Sequence, residues 1–146
     1  MSVQRAEGRD PAMKYMLMMN VSGGPYEILT TWAKEDLEAH GAFMNRLNAK
    51  LAETGELVAV AGLSSPDQAK VVRADPKGMP ITDGVFAESK EFLAGYWIID
   101  VATPERAYAI AAEASMAPGV GGAPLHTPIE VRAFMFSLDT PTKGAQ

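Results

Sequence analysis

Two places in this chain hold residue types that could do chemistry near neutral pH. The first is His40, in the series Leu37, His40, Met44, Leu47 and Leu51, spaced by three and four residues. That spacing sets all five on one stripe of a helix, with Phe43 beside it and Glu38, Asn45, Asn48 and Lys50 elsewhere. An imidazole on such a stripe can act as general acid or base, tuned by a nearby carboxylate, or it can be a core-edge histidine bonded to a backbone carbonyl. The second place is ITDGVFAESKEFLAGYWIID, residues 81–100, where Asp83, Glu88, Lys90, Glu91 and Asp100 gather in a chain that is 47% hydrophobic.

Asp83 and Gly84 suit a bend in which the carboxylate accepts backbone N–H bonds. Glu88, Lys90 and Glu91 form either a solvated charge run or a semi-rigid wall for a small polar ligand. Near the C-terminus, Glu130 and Arg132 alternate to the same side as Asp100, and Arg132 can hold a carboxylate bidentately or simply pair with Glu130. The candidates for acid/base work are therefore His40 with Asp83, Glu88 or Asp100 as its orienting carboxylate; Glu88, Lys90 and Arg132 are the candidates for substrate contact. His126, in a Gly/Pro-rich loop, is expected at the surface. Two histidines without ligand spacing and no cysteine leave no case for a metal, and no glycine-rich phosphate loop occurs, so no cofactor is expected.

Composition narrows the partners. The net charge is −5 with no run of Lys or Arg, which argues against nucleic acid. The longest apolar run, MKYMLMMNV, falls far short of the ~20 residues needed to cross a bilayer, and MSVQRAEGRDPA lacks the apolar stretch of a secretion signal, so a soluble cytoplasmic protein is expected. Residues 1–12 read as a flexible extension, 13–138 as one domain and 139–146 as a loose tail.

The elements that must position these residues follow from patterning. Met13 to Val21 is apolar on both alternating faces, as a central strand is. After SGGPYEILT, Thr31 is the expected N-cap of a helix that runs to Glu53 and stops at Gly55. ELVAVAGL makes a second strand; AKVVRA and PITDGVFA make a hairpin around Asp75, Pro76, Lys77 and Gly78. FLAGYWIIDV follows, with Trp97, Ile99 and Val101 on one face and Tyr96, Ile98 and Asp100 on the other. Thr103 and Pro104 open a second helix with Ala107, Ile110, Ala111 and Ala114 inward, and PIEVRAFMFS is the last strand. This order predicts an α+β fold: a ferredoxin-like antiparallel sheet, two helices on one face, and an extra β-hairpin before the third core strand. The other face carries Met16, Met18, Tyr96, Ile98, Phe134 and Phe136, more apolar surface than a monomer leaves wet, so a homodimer through this open face is expected.

KYMLMM, TDGVFAESKEFLAGYWIIDV and IEVRAFM, in that order, make the chain resemble the YCII-related family, in particular its DGPF-domain branch, over roughly residues 13–136. Family members read Asp-Gly-Pro-Phe where this chain has Asp83, Gly84, Val85 and Phe86, and Glu-Thr-Lys-Glu where it has Glu88, Ser89, Lys90 and Glu91. The resemblance implies a dimeric α+β barrel. It further implies small-molecule binding, in some relatives lyase chemistry on hydroxylated, chlorinated aromatics by a helix histidine and an aspartate near the second helix. His40 lies about one turn earlier than that histidine, and Ser115, Met116, Ala117 and Pro118 stand where the aspartate is expected. The expectation is thus a small-molecule-binding protein with possible cofactor-independent acid/base chemistry; the alternatives are a non-catalytic regulatory accessory of sigma-factor systems, which the resemblance also implies, and a structural dimerisation module.

Overall fold

The computed structural model describes residues 13–22, 31–84 and 91–138. Among these residues, six strands and two α-helices follow in the order β1 (Met13–Val21), α1 (Lys34–Glu53), β2 (Leu57–Gly62), β3 (Lys70–Ala74), β4 (Pro80–Gly84), β5 (Phe92–Val101), α2 (Pro104–Ser115) and β6 (Ile129–Ala133). Four strands form one antiparallel sheet in the order β2-β5-β1-β6. The first strand therefore lies inside the sheet, beside strands that come much later in the chain. β3 and β4 form a separate hairpin, as the sequence predicts.

The core lies between this sheet and the helices. Tyr15 and Leu17 of β1, Trp97, Ile99 and Val101 of β5, Leu47 and Leu51 of α1, and Ala107, Ile110, Ala111 and Ala114 of α2 are all buried in one cluster. The cross-strand pairs Lys14–Asp100, Met16–Ile98, Met18–Tyr96, Met16–Arg132 and Met18–Glu130 place those residues on the opposite, open face.

Two details depart from the sequence expectation. The α1 cap is Ala33, whose carbonyl accepts from Asp36 N at 3.0 Å and Leu37 N at 3.1 Å with no side-chain cap, rather than Thr31. The last strand stops at Ala133: Phe134 N still donates to Lys14 O at 2.9 Å, but Phe136 lies beyond the sheet, 70% exposed. The other termini follow the sequence. Gly55, at φ +81°, ends α1 with Glu56 N bonded to Leu51 O at 3.0 Å and Gly55 N to Ala52 O at 3.1 Å, and Thr103 Oγ1 caps α2 by accepting from Arg106 N at 3.1 Å. In the hairpin, Asp75 Oδ1 accepts from Lys77 N at 2.8 Å and Met79 N at 2.9 Å around Gly78.

Candidate functional site

The site is built where α1 crosses the ends of β2 and β5. Gly62, Ala94 and Gly95 lie there, small residues that leave space beneath the helix. Backbone geometry demands one of them: a Cβ on Gly95 would stand 2.8 Å from Ala61 O across the strand pair. A bulge beside it, between Met19 and Asn20 of β1, leaves Ala94 outside the regular pairing. The result is a cavity of about 400 Å³ walled by Met19, Val21, Trp32, Leu63 and Leu125, with His40 in its lining. Its lining contains no Asp, Glu, Lys or Arg among the described residues; His40 and Thr127 supply the polar side chains apart from the Trp32 ring.

His40 is half-buried, on the face the heptad-like spacing predicts. Its Nδ1 lies 3.0 Å from Pro118 O. A carbonyl only accepts, so Nδ1 carries the hydrogen, and in the neutral ring Nε2 is left as a bare acceptor. The Trp32 ring meets the imidazole edge-on, centroids 5.7 Å apart and planes at 82°. The loop after α2 holds this arrangement. Leu125 N donates to Ala117 O at 2.9 Å, Gly119 N to Ala123 O at 2.7 Å, and Gly121 N to Asp36 Oδ1 at 3.3 Å, one helical turn before His40. The loop is thereby pinned to α1 at both Asp36 and His40.

A second cavity of about 190 Å³ adjoins the first, sharing Met19, Gly62 and Ala94 with it, and reaches Met44, Asn48 and Trp97. There Trp97 Nε1 donates to Asn48 Oδ1 at 2.8 Å. Elsewhere, Arg106 makes a bidentate pair with Glu56, Nε to Oε2 and Nη2 to Oε1, both at 2.8 Å, joining the end of α1 to the start of α2. Those bonds hold the Glu56 carboxyl below the ordinary carboxylate range, against burial, which opposes them. Lys50 pairs with Glu113 between the helices.

The other residues singled out in the sequence lie apart from His40. Asp100 and Arg132 are on the open face, with the sheet between them and the imidazole. Asp100 also lies six residues along β5 from Ala94, about 20 Å at the rise of a strand. Asp83 is exposed on β4, in the separate hairpin. Glu88 and Lys90 lie outside the described residues. Among the described residues no carboxylate is hydrogen-bonded to His40. Asp100 Oδ1 is shielded from solvent without a hydrogen-bond partner among those residues. His126 is exposed, at φ 54°. Trp32, Asn48 and the Pro118 carbonyl were not singled out: Pro118 reaches the site only through long-range folding, and Trp32 enters it from just ahead of α1, outside the helical spacing. Asn48, though, is separated from His40 by Met44 at intervals of four, a spacing that was legible.

Among curated proteins, the chain is similar to an uncharacterized protein of Rhizobium meliloti (strain 1021), 33% identical over 95 residues that cover 64% of this chain and 77% of the relative. The family model of the YCII-related domain matches residues 13–121, a span that holds β1 to β5, both helices and every described residue of the cavity wall except Leu125 and Thr127. By that match, the chain belongs to the YCII-related family.

Proposed function

We propose that this protein binds a small, uncharged, mostly apolar organic molecule in the cavity beneath α1, where His40 Nε2 accepts a hydrogen bond from it. The observation that carries this reading is the bond from His40 Nδ1 to Pro118 O inside an otherwise apolar lining. It fixes the tautomer, so the ring offers a lone pair, and the absence of charged side chains among the described lining residues disfavours an ionised ligand. A ligand that brings its own donor, such as a phenolic or enolic hydroxyl, satisfies both conditions.

The test compares substituted phenols with their methyl ethers by calorimetry, on the wild type and on His40→Phe, which keeps a ring against Trp32 but removes the acceptor. Loss of one hydrogen bond predicts that the phenol binds roughly tenfold more weakly to the variant, with the ether unaffected. Equal affinity of phenol and ether for the wild type would refute the reading.

General-base catalysis by the same nitrogen is a second reading, favoured by the same anchored tautomer. It differs in outcome: a catalyst consumes the bound phenol and His40→Phe stops the consumption, whereas a binding or regulatory protein returns it unchanged. For the open sheet face we propose a second copy of the chain as the cover. Half-buried Met16, Met18, Tyr96 and Ile98 lie there beside Glu130 and Arg132, which make no ion pair among the described residues, and the shielded Asp100 Oδ1 lacks a donor. A two-fold pairing would bring a base to each acid.

A further inference from the structure

The two adjoining cavities have unlike polar ends. His40, Met44 and Asn48 follow at intervals of four, so they lie along one face of α1 above the same small residues, Gly62 and Ala94. Trp97 Nε1 is a donor only, so the Asn48 atom facing it is the carbonyl oxygen, whichever way the amide would otherwise be turned. Both hydrogens of Asn48 Nδ2 then remain, with no acceptor among the described residues. His40 and Asn48 stand two turns apart, about 12 Å along the helix axis. Between them lie Met19 and Met44, unbranched thioethers that can swing aside to join the two spaces.

We infer that the ligand spans both cavities and is an elongated, uncharged molecule about two rings long, with a hydrogen-bond donor at the His40 end and a carbonyl-type acceptor at the Asn48 end. This rests on the binding reading above and goes beyond it in making Asn48 the residue that selects ligand length and the far functional group. The chemistry is reciprocal: an acceptor on the protein calls for a donor on the ligand, and an amide N–H2 calls for a carbonyl. A ligand with only the first group fills the larger cavity and leaves Asn48 to water.

Three probes test this by calorimetry: para-hydroxybiphenyl, which has the donor alone; the biphenyl with a para hydroxyl on one ring and a para acetyl on the other; and the acetyl compound without the hydroxyl. On the wild type the bifunctional probe should bind about tenfold more tightly than para-hydroxybiphenyl, the worth of one further hydrogen bond. Asn48→Asp keeps an oxygen for Trp97 Nε1 but replaces the N–H2 with a second acceptor, so on that variant the bifunctional probe should bind no more tightly than para-hydroxybiphenyl, the readout being the ratio of the two affinities. Asn48→Leu, which removes both groups, should also abolish it, and thermal melts show whether either variant is folded. The inference is overturned if the acetyl group gives no advantage on the wild type, or if its advantage survives in a folded Asn48 variant. Should the hydroxyl matter and the acetyl not, the inference alone fails. Should the hydroxyl make no difference, or no probe bind, the reading of the His40 cavity fails with it.

Discussion

Gly62 and Gly95 are cross-strand partners on β2 and β5, yet replacing each by alanine should give opposite results. A methyl on Gly95 would stand 2.8 Å from Ala61 O and 3.4 Å from the Gly62 Cα, whereas a methyl on Gly62 meets nothing within 4 Å. The first contact is with backbone, so relief requires the two strands to part by about half an ångström, next to the 2.8 Å bond from Leu63 N to Ala94 O. Overpacking of this kind costs roughly 1–3 kcal/mol, and the smaller conformational freedom of alanine in the unfolded chain returns about 0.4–1 kcal/mol. Gly95→Ala should therefore lose about 1–2 kcal/mol, a fall of several degrees in melting temperature for a chain of this length. Gly62→Ala should be as stable as the wild type or slightly more so, while its methyl narrows the space beneath α1 and weakens phenol binding. Urea unfolding and calorimetric binding measured on both variants separate stability from capacity. If the two substitutions destabilise equally, or Gly62→Ala is the worse, the close strand approach is not what requires glycine at position 95.

Two further expectations concern charge and assembly. Because Arg106 depresses the folded pKa of Glu56 below its ordinary 4.5, the pair's contribution is fully present above that value and is lost as pH falls through the depressed one. Glu56→Gln should cost roughly 1 kcal/mol or less at neutral pH, given the half-exposed guanidinium, and should flatten the decline of the urea midpoint below pH ~4.5; an unchanged acid decline would count against it. For the open face, sedimentation should find a dimer at micromolar concentration that Ile98→Lys converts to a monomer. A wild type that sediments as a monomer would refute that proposal.

Much of the fold was legible because its signals are local. Alternation in FLAGYWIIDV assigned the faces of β5, Thr103-Pro104 marked the start of α2, and Gly55 marked the end of α1. The first cap was misplaced because Thr31 has a better capping side chain than Ala33, yet only backbone bonds close the first turn. Bulges were not legible. The one between Leu57 and Ala59 sends Val60 opposite Trp97 and Ala59 opposite Ile98, so simple alternation along β2 misassigns its faces. For the site, the stripe containing His40 could be read, but its partner could not: the Pro118 carbonyl belongs to a loop 78 residues away that carries no side-chain signature. Asp100 was drawn toward the histidine by its chemistry, while strand parity turns it to the far side of the sheet.

The place of β1 in the sheet sets the order in which the protein can be completed during synthesis. Tyr15 is paired with Ile99 on one side and with Ala133 on the other, so β1 leaves the ribosome ahead of the other strands of this sheet yet has both of its edges filled only when β6 is made. Until residues 92–101 emerge, MKYMLMMNV lacks the ladder partners it has in the sheet, and its second edge stays open until residues 129–133 follow. The nascent chain must therefore carry an apolar, incompletely paired strand while the residues between β1 and β6 are made, the condition under which strands from different chains pair with one another. A truncation before residue 129 would leave that edge permanently bare, so such fragments should aggregate even though both helices and three of the four sheet strands are present.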